Sequence, residues 1–245
     1  MTLAIKRFAD IAAAAQALAS AVAIELTAAL AQRSRALLLV SGGRSPLAFF
    51  EVLRAQPIAW ERIDISLVDE RSVAADDAAA NAGLVRAHLL CGAAAAARWI
   101  GLLPETAVLT GATPFERAQD AAQRANRNAL LAHAAVVVLG VGSDGHTASL
   151  FADALQWPQA RVTPQRYVAM QPGVAPHARI SLSLTALKQQ GHCHVWAIGG
   201  EKSGVLTRLQ EQVRSGETAD AGPMACLIAA PALMLTAYCT LDDAA

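Results

Sequence analysis

The sequence predicts an α/β fold, a mostly parallel sheet with helices on both faces. Three observations carry that prediction. Short apolar runs such as AVVVL, residues 135–139, alternate along the chain with helix-period stretches, and no run of hairpins interrupts them. Turns bearing glycine or charge follow the strand candidates at their carboxyl ends, where open α/β sheets bind ligands. The chain has 245 residues, 54% apolar, with zero net charge, so it can bury a sizeable core.

Residues 8–33 are a helix candidate rich in Ala and Leu, broken at helical spacing by Gln16, Ser20, Glu25 and Thr27. That pattern is an amphipathic helix rather than a bilayer span. Lys6 and Arg7 run directly into Phe8-Ala9-Asp10, so the signal-peptide pattern fails as well. A cytoplasmic protein without a membrane partner is expected. Neutrality argues against broad nucleic-acid binding but leaves room for a local basic pocket.

Residues 36–40 form a short apolar strand that enters Ser41-Gly42-Gly43-Arg44-Ser45-Pro46, and a helix follows through Arg54. Ser45 fits the N-cap and Pro46 the first helical position. The two glycines let backbone approach a ligand, the helix N-terminus offers free N–H groups, and Arg44 adds full charge. The loop is a phosphate cradle without the Gly-Lys-Ser/Thr of a Walker loop, or else an ordinary strand-to-helix turn. Residues 63–68 alternate and end in Asp69-Glu70-Arg71, which is either a functional strand end or a solvated charge cluster. Residues 78–90 are helical with Asn81 near the start, and 98–103 are a weak strand. Thr113, Pro114 and Glu116 open a helix that runs to about residue 132.

The apolar run 135–139 is the central strand, buried on both faces. Gly140, Gly142 and Gly145 follow within six residues, with Asp144 and His146 in the same turn. A carboxylate and an imidazole beside flexible backbone, at the mouth of a buried strand, suggest acid/base chemistry. GVGSDG also matches GxGxxG. Asp144, however, puts negative charge where a pyrophosphate would lie, and the next strand candidate, 167–171, ends without Asp or Glu. Dinucleotide binding is therefore disfavoured.

Residues 153–178 contain Pro158, Pro164, Pro172 and Pro176 and read as an insertion or lid within a single domain spanning 1–245. Residues 179–184 alternate, and Thr185 caps a short helix. Residues 194–198 are a strand, Gly199-Gly200-Glu201-Lys202 leads into a helix to residue 213, and 224–238 hold a short helix and a last strand. His192, Cys193 and His194 invite a metal reading, since on a strand the two imidazoles share one face. The sequence places no third ligand nearby, so core or edge histidines are preferred and no metal is expected. Cys91, Cys193, Cys226 and Cys239 are scattered with no CxxC, which suits buried free thiols.

Together SGGRSP, VDER with Asn81 ten residues on, LGVGSDGHTASLF, ARISLSL and GGEKS resemble the 6-phosphogluconolactonase family, within the group that includes glucosamine-6-phosphate deaminase. The pieces come in family order over roughly residues 35–210, and DGHTASLF is the specific one. The resemblance implies a modified Rossmann-like α/β sandwich. It also implies hydrolysis of 6-phospho-D-glucono-1,5-lactone to 6-phospho-D-gluconate, the second step of the oxidative pentose phosphate pathway, without metal or organic cofactor. Carried over by position, Ser41, Gly42, Gly43, Arg44, Arg179 and Lys202 would bind the phosphate. His146 would be the general base with Asp144 beside it, and Asp69 and Arg71 would line the sugar and the reacting carbonyl. The physics agrees: a dianion wants a helix N-terminus, backbone N–H groups and cations. Attack by water wants a base titrating near neutrality, and the reference value for imidazole is about 6.5. Arg71, or a backbone N–H of the loop 140–145, would face the developing oxyanion. The sequence departs from the family pattern at Arg44, Ala74, Ala80, His133-Ala134 and Ala152, and 176–178 lacks a Lys often found before Arg179.

The nearest alternative is a glucosamine-6-phosphate deaminase/isomerase, a branch that typically reads MDEY and DGHIAFNEP where this chain has VDER and DGHTASLF. From another class comes a non-catalytic sugar-phosphate-binding regulator, against which the intact Asp144-Gly145-His146 speaks. The expected partner is a small-molecule sugar-phosphate lactone, with no nucleic acid, and the expected assembly is a monomer or small homo-oligomer.

Overall fold

The structure, a computed structural model, describes residues 3–104, 113–217 and 222–240. Its frame is a seven-stranded parallel sheet built from β1 (Leu3–Phe8), β2 (Ala36–Val40), β3 (Ile63–Leu67), β5 (Arg98–Trp99), β6 (Ala134–Gly140), β9 (His192–Ala197) and β10 (Met234–Thr240). The order across the sheet is β1-β10-β9-β6-β2-β3-β5. β2 and β3 are buried at every position, as parallel strands covered on both faces must be.

Helix α1 (Ile11–Leu30) starts three residues later than its composition suggests, because Leu3–Phe8 pairs as an edge strand beside β10. Lys6 and Arg7 hid that strand, yet charges are what a sheet edge tolerates. Asp10 caps α1, its carboxylate accepting the Ala13 N–H at 2.7 Å. By length and composition α1 is apolar enough to cross a bilayer. In this fold its small residues Ala14, Ala15 and Ala19 and its larger Leu18, Val22 and Leu26 are buried against the core.

A feature the sequence did not foretell is a second sheet, three-stranded and antiparallel, of β4 (Asp69–Arg71), β8 (Arg179–Leu182) and β7 (Tyr167–Met170). It is fastened to the main sheet by the Leu182 N–H on the Val68 carbonyl at 2.8 Å and by the buried Tyr167 hydroxyl on the Leu67 carbonyl at 3.0 Å. Helix α4 (Pro114–Arg127) covers β7. Its Asn126 side chain both donates to the Tyr167 carbonyl and accepts from the Tyr167 N–H, each at 2.8 Å, in place of a strand neighbour. The α4 capping box between Thr113 and Glu116 forms as expected, although the helix ends at Arg127 and a 3-10 turn follows.

Other caps differ by a residue or two. Helix α2 (Leu47–Arg54) has Pro46 at its N-cap and no side-chain cap, because Ser45 turns its hydroxyl towards Lys202. α5 (Trp157–Ala160) lies in the stretch before β7. Ser183, not Thr185, caps α6 (Leu184–Lys188) by accepting the Ala186 N–H at 3.1 Å. α7 (Gly200–Ser215) begins two residues early, and α8 (Pro223–Ile228) precedes β10.

Helix α3 (Asn81–His88) has Ala80 at its N-cap and no local side-chain cap. Its cap comes from β4. The buried Glu70 carboxylate accepts the Asn81 N–H at 2.8 Å and the Ala82 N–H at 2.7 Å, and also the Arg71 N–H at 2.7 Å. Glu70 is thus a structural anchor that sets Asn81 beside Asp69. Burial pushes its carboxyl up to about 7, while the three N–H bonds pull the other way. With a folded value near 7 and an ordinary value of 4.5, the folded state holds the extra proton between those pH values. The Glu70 contribution to stability is therefore fully present below about pH 4.5 and falls as pH rises through 7. Glu70→Gln, which turns an amide N–H towards a backbone donor, should cost about 1–3 kcal/mol in urea unfolding. It should also remove the part of the decline between pH 5 and 8 that belongs to Glu70. Equal pH slopes in the two proteins would show that Glu70 does not titrate in this range.

Candidate active site

Strands β9, β6, β2 and β3 are neighbours and parallel, so the loops that leave them crowd one edge of the sheet. From β2 the chain moves towards β3 and β5, whereas from β6 it moves towards β9 and β10. The order reverses between β2 and β6, and a crevice opens outside strand ends at such a point. A cavity of about 320 Å³ lies there, a fitting size for a small ligand. Its wall includes Ser41, Gly42, Gly43, Arg44, Asp69, Arg71, His146, Arg179 and Lys202, which are all but one of the residues singled out in the sequence. The remaining one, Asp144, touches His146 directly.

His146 Nδ1 lies 2.6 Å from Asp144 Oδ1, and the same oxygen accepts the His146 backbone N–H at 3.1 Å. Burial alone would raise the Asp144 carboxyl, but the bonds and charge from His146 bring it below its ordinary value. An ionised carboxylate only accepts, so it selects the imidazole tautomer with the proton on Nδ1 and the lone pair on Nε2. The ring stacks on Phe151, centroids 4.2 Å apart. The turn is tight: the Gly142 N–H meets the His146 carbonyl at 2.9 Å, and the Gly145 N–H meets the Gly142 carbonyl at 3.0 Å. A Cβ on Gly142 would overlap both the His146 ring and the Asp144 carboxylate. Gly145 takes φ +80, and Ala148, also in the cavity wall, takes the rarer left-handed φ of 49.

The antiparallel sheet supplies the opposite wall. In its register Arg71 faces Arg179 across β4 and β8. Asp69 Oδ2 accepts the Ser149 hydroxyl at 2.5 Å, and Arg179 Nη1 donates to the same hydroxyl at 3.3 Å. Arg71 Nη1 donates to the Ala79 carbonyl at 2.6 Å. Among the described residues, the Nε groups of Arg71 and Arg179 are buried without a protein partner. Burial lowers the Arg179 guanidinium from its ordinary value, against the opposing pull of Asp69. Two cations side by side with spare N–H groups form a receptor for an oxyanion.

The third wall is the loop after β2. Among the described residues, the N–H groups of Gly42, Gly43 and Arg44 have no protein acceptor. Lys202, at the start of α7, holds its ammonium 3.4 Å from Ser45 Oγ, and Trp196 donates to the Ser45 carbonyl at 2.8 Å. Gly42 must lack a side chain, since a Cβ would run into Asn81.

The residues named from the sequence line most of the cavity, but some of its walls went unforeseen. Asn81 enters the sequence reading only as part of a motif, yet it lines the cavity, donates to the Asp69 carbonyl at 3.0 Å and has a buried carbonyl oxygen unpaired among the described residues. Ser149, which joins Asp69 to Arg179, sits inside DGHTASLF and carried no signal of its own. Trp196 could have been placed from the alternation of β9, at whose carboxyl end it sits. Of the amides offered for an oxyanion, those of Gly140, Gly142 and Gly145 are already bonded within the loops.

Comparison with known proteins agrees with this geometry. The sequence profile described as glucosamine-6-phosphate isomerases/6-phosphogluconolactonase matches residues 9–234. The protein named 6-phosphogluconolactonase in Neisseria meningitidis serogroup A is 40% identical over 210 residues, covering 83% of this chain and 85% of that one. The one so named in Pseudomonas aeruginosa is 45% identical over 178 residues, covering 71% of each. The crystal structure of a 6-phosphogluconolactonase from Shewanella baltica superposes with a TM-score of 0.85 at 33% identity, over 98% of both chains. The chain belongs to the glucosamine-6-phosphate isomerase/6-phosphogluconolactonase family.

Proposed function

We propose that this protein is a 6-phosphogluconolactonase, opening 6-phospho-D-glucono-1,5-lactone to 6-phospho-D-gluconate. The observation that carries the reading is the Asp144–His146 pair opening onto the same cavity as the unpaired amides of residues 42–44 and the cations Arg179 and Lys202. The names of the relatives at 40% and 45% identity support the same choice.

In this mechanism the loop from Ser41 to Arg44, with Arg179 and Lys202, holds the phosphate by backbone N–H groups and full charge. That fixes the lactone carbonyl carbon near His146. The Nε2 lone pair takes a proton from water as the water oxygen bonds to the carbonyl carbon. Charge moves to the carbonyl oxygen, where Arg71 is the best-placed donor, three loop amides being already committed. The tetrahedral intermediate collapses, the ring C–O bond breaks, and the leaving oxygen takes the proton back from the imidazolium. Asp144 keeps the ring in its working tautomer, and Asp69 lines the sugar while bonded to Ser149. No step uses a metal or cofactor. Ligand-lining residues run from 41 to 202, which supports one working unit over 1–245, with 153–178 as an insertion carrying β7. A cytoplasmic enzyme, monomeric or a small homo-oligomer, without nucleic-acid or membrane partners, completes the reading.

The purified protein should open 6-phosphogluconolactone in EDTA at an undiminished rate. Ammonia release from glucosamine 6-phosphate with no lactone opening would assign it to the other branch of the family. Arg179→Ala and Lys202→Ala should each raise KM for the phosphorylated lactone about 10- to 100-fold, from roughly 1.5–3 kcal/mol per charged hydrogen bond. Unphosphorylated gluconolactone should be affected far less, and an equal loss on both substrates would remove these residues from the phosphate site. His146→Ala should fold normally and lower kcat by about 10²- to 10⁴-fold with little change in KM, after spontaneous opening is subtracted. His146→Gln should be no better, since an amide cannot take the proton. Near-normal kcat in a folded His146→Ala protein would make Asp69 the leading base.

A further inference from the structure

The end of the sheet away from the catalytic cavity carries a second polar cluster. The His192 and His194 rings lie on one face of β9, centroids 4.4 Å apart, and Glu25 reaches over them from α1. Its Oε1 is 2.9 Å from His192 Nδ1 and 3.1 Å from His194 Nε2. The three ligand atoms lie within 4.8 Å of one another. The sequence offered only two of them, because Glu25 is 167 residues from His192 along the chain. At about 3.3 Å per strand residue, His192 is some 13 Å from Trp196 in the cavity wall.

His192 is paired through both ring nitrogens, whereas His194 is poorly satisfied. His194 is 1% exposed; among the described residues its Nε2 has only the ion-pair contact with Glu25 at 3.1 Å, and its Nδ1 has no partner. Its Nε2 is near the Glu25 oxygen without the alignment a hydrogen bond needs. Buried polar groups are nearly always paired, so a buried imidazole with no well-aligned hydrogen bond leaves Nε2 open to a ligand shared with Glu25. A tetrahedral Zn²⁺ at about 2.0–2.1 Å from each donor would set the donors roughly 3.3 Å apart, close to the two spacings found here. The other nitrogen of His192, Nε2, lies 2.9 Å from Thr236 Oγ1, the outer contact that orients a ligating imidazole. Glu25 and His192 keep 32% and 24% of their side chains exposed, which gives an ion entry and leaves a fourth position for water.

The geometry points to a divalent transition-metal site, suited to Zn²⁺, formed by Glu25, His192 and His194. Two imidazoles and a carboxylate are borderline-to-hard ligands that favour zinc over magnesium or calcium. The ion fastens α1 to the amino end of β9. It stabilises the folded chain, because the unfolded chain scatters the three ligands. It takes no part in the chemistry at the opposite edge of the sheet.

The test is calorimetric titration of the EDTA-stripped full chain with ZnCl₂, followed by thermal melts. One Zn²⁺ should bind per chain, and at about 100-fold excess over Kd it should raise Tm by roughly 5 °C. Thr236→Val should weaken binding about 10-fold, and Glu25→Gln and His192→Ala by more than that. All three variants should hydrolyse the lactone at the wild-type rate, which also certifies that they are folded. Absence of Zn²⁺ binding to the wild type, or binding that survives both Glu25→Gln and His192→Ala, would overturn the site. Failure of the lactonase assignment would leave this titration unaffected.

Discussion

The Gly140 N–H donates to Ser41 Oγ at 3.0 Å, and the Ser41 N–H donates to the Val138 carbonyl at 2.9 Å. These two bonds join the ends of β2 and β6 where the strand order turns back. Each strand then releases a loop that is forced away from the other. One loop presents bare amides and the other presents Asp144 and His146. Neither loop alone makes a site. The geometry of the cavity rests on the fact that these two neighbouring strand ends send their chains in opposite directions.

The electrostatics follow a similar economy. Like charges directly opposite on paired strands cost stability, and Arg71 opposite Arg179 is such a pair. Asp69 and the shared Ser149 hydroxyl offset part of that repulsion, and an incoming oxyanion can offset the rest. The folded protein holds this positive field and its oriented donors in place before any ligand arrives. Glu70, one residue away, serves a different end. It spends its carboxylate on three backbone N–H groups, so Asp69-Glu70-Arg71 divides between cavity wall and scaffold by the alternation of a strand.

The parallel sheet and most of the cavity wall were legible because they rest on local signals. A two-sided apolar run, glycines at strand ends and a charged strand end each mark a position without knowledge of the partner. What escaped were pairings between distant segments. The strand Leu3–Phe8 is visible only once β10 lies beside it. The small antiparallel sheet needs Arg179 to meet Arg71, and Asn81 becomes a cavity wall only because Glu70 caps its helix from another strand. The caps at Pro46 and Ser183 were misjudged by one or two residues, since a hydroxyl's choice between its own helix and a neighbouring side chain is a tertiary matter.

The pairing of β1 with β10 places Leu3 beside Leu235 and Phe8 beside Thr240. Nearly the whole chain must be brought round before that edge can close. The loop-closure entropy for such a contact is large, and its reward comes only once the intervening strands are stacked. During synthesis the Leu3–Phe8 segment therefore waits for its partner until β10 has emerged. Its Lys6 and Arg7 suit that wait, since the charges discourage the unpaired strand from joining another chain.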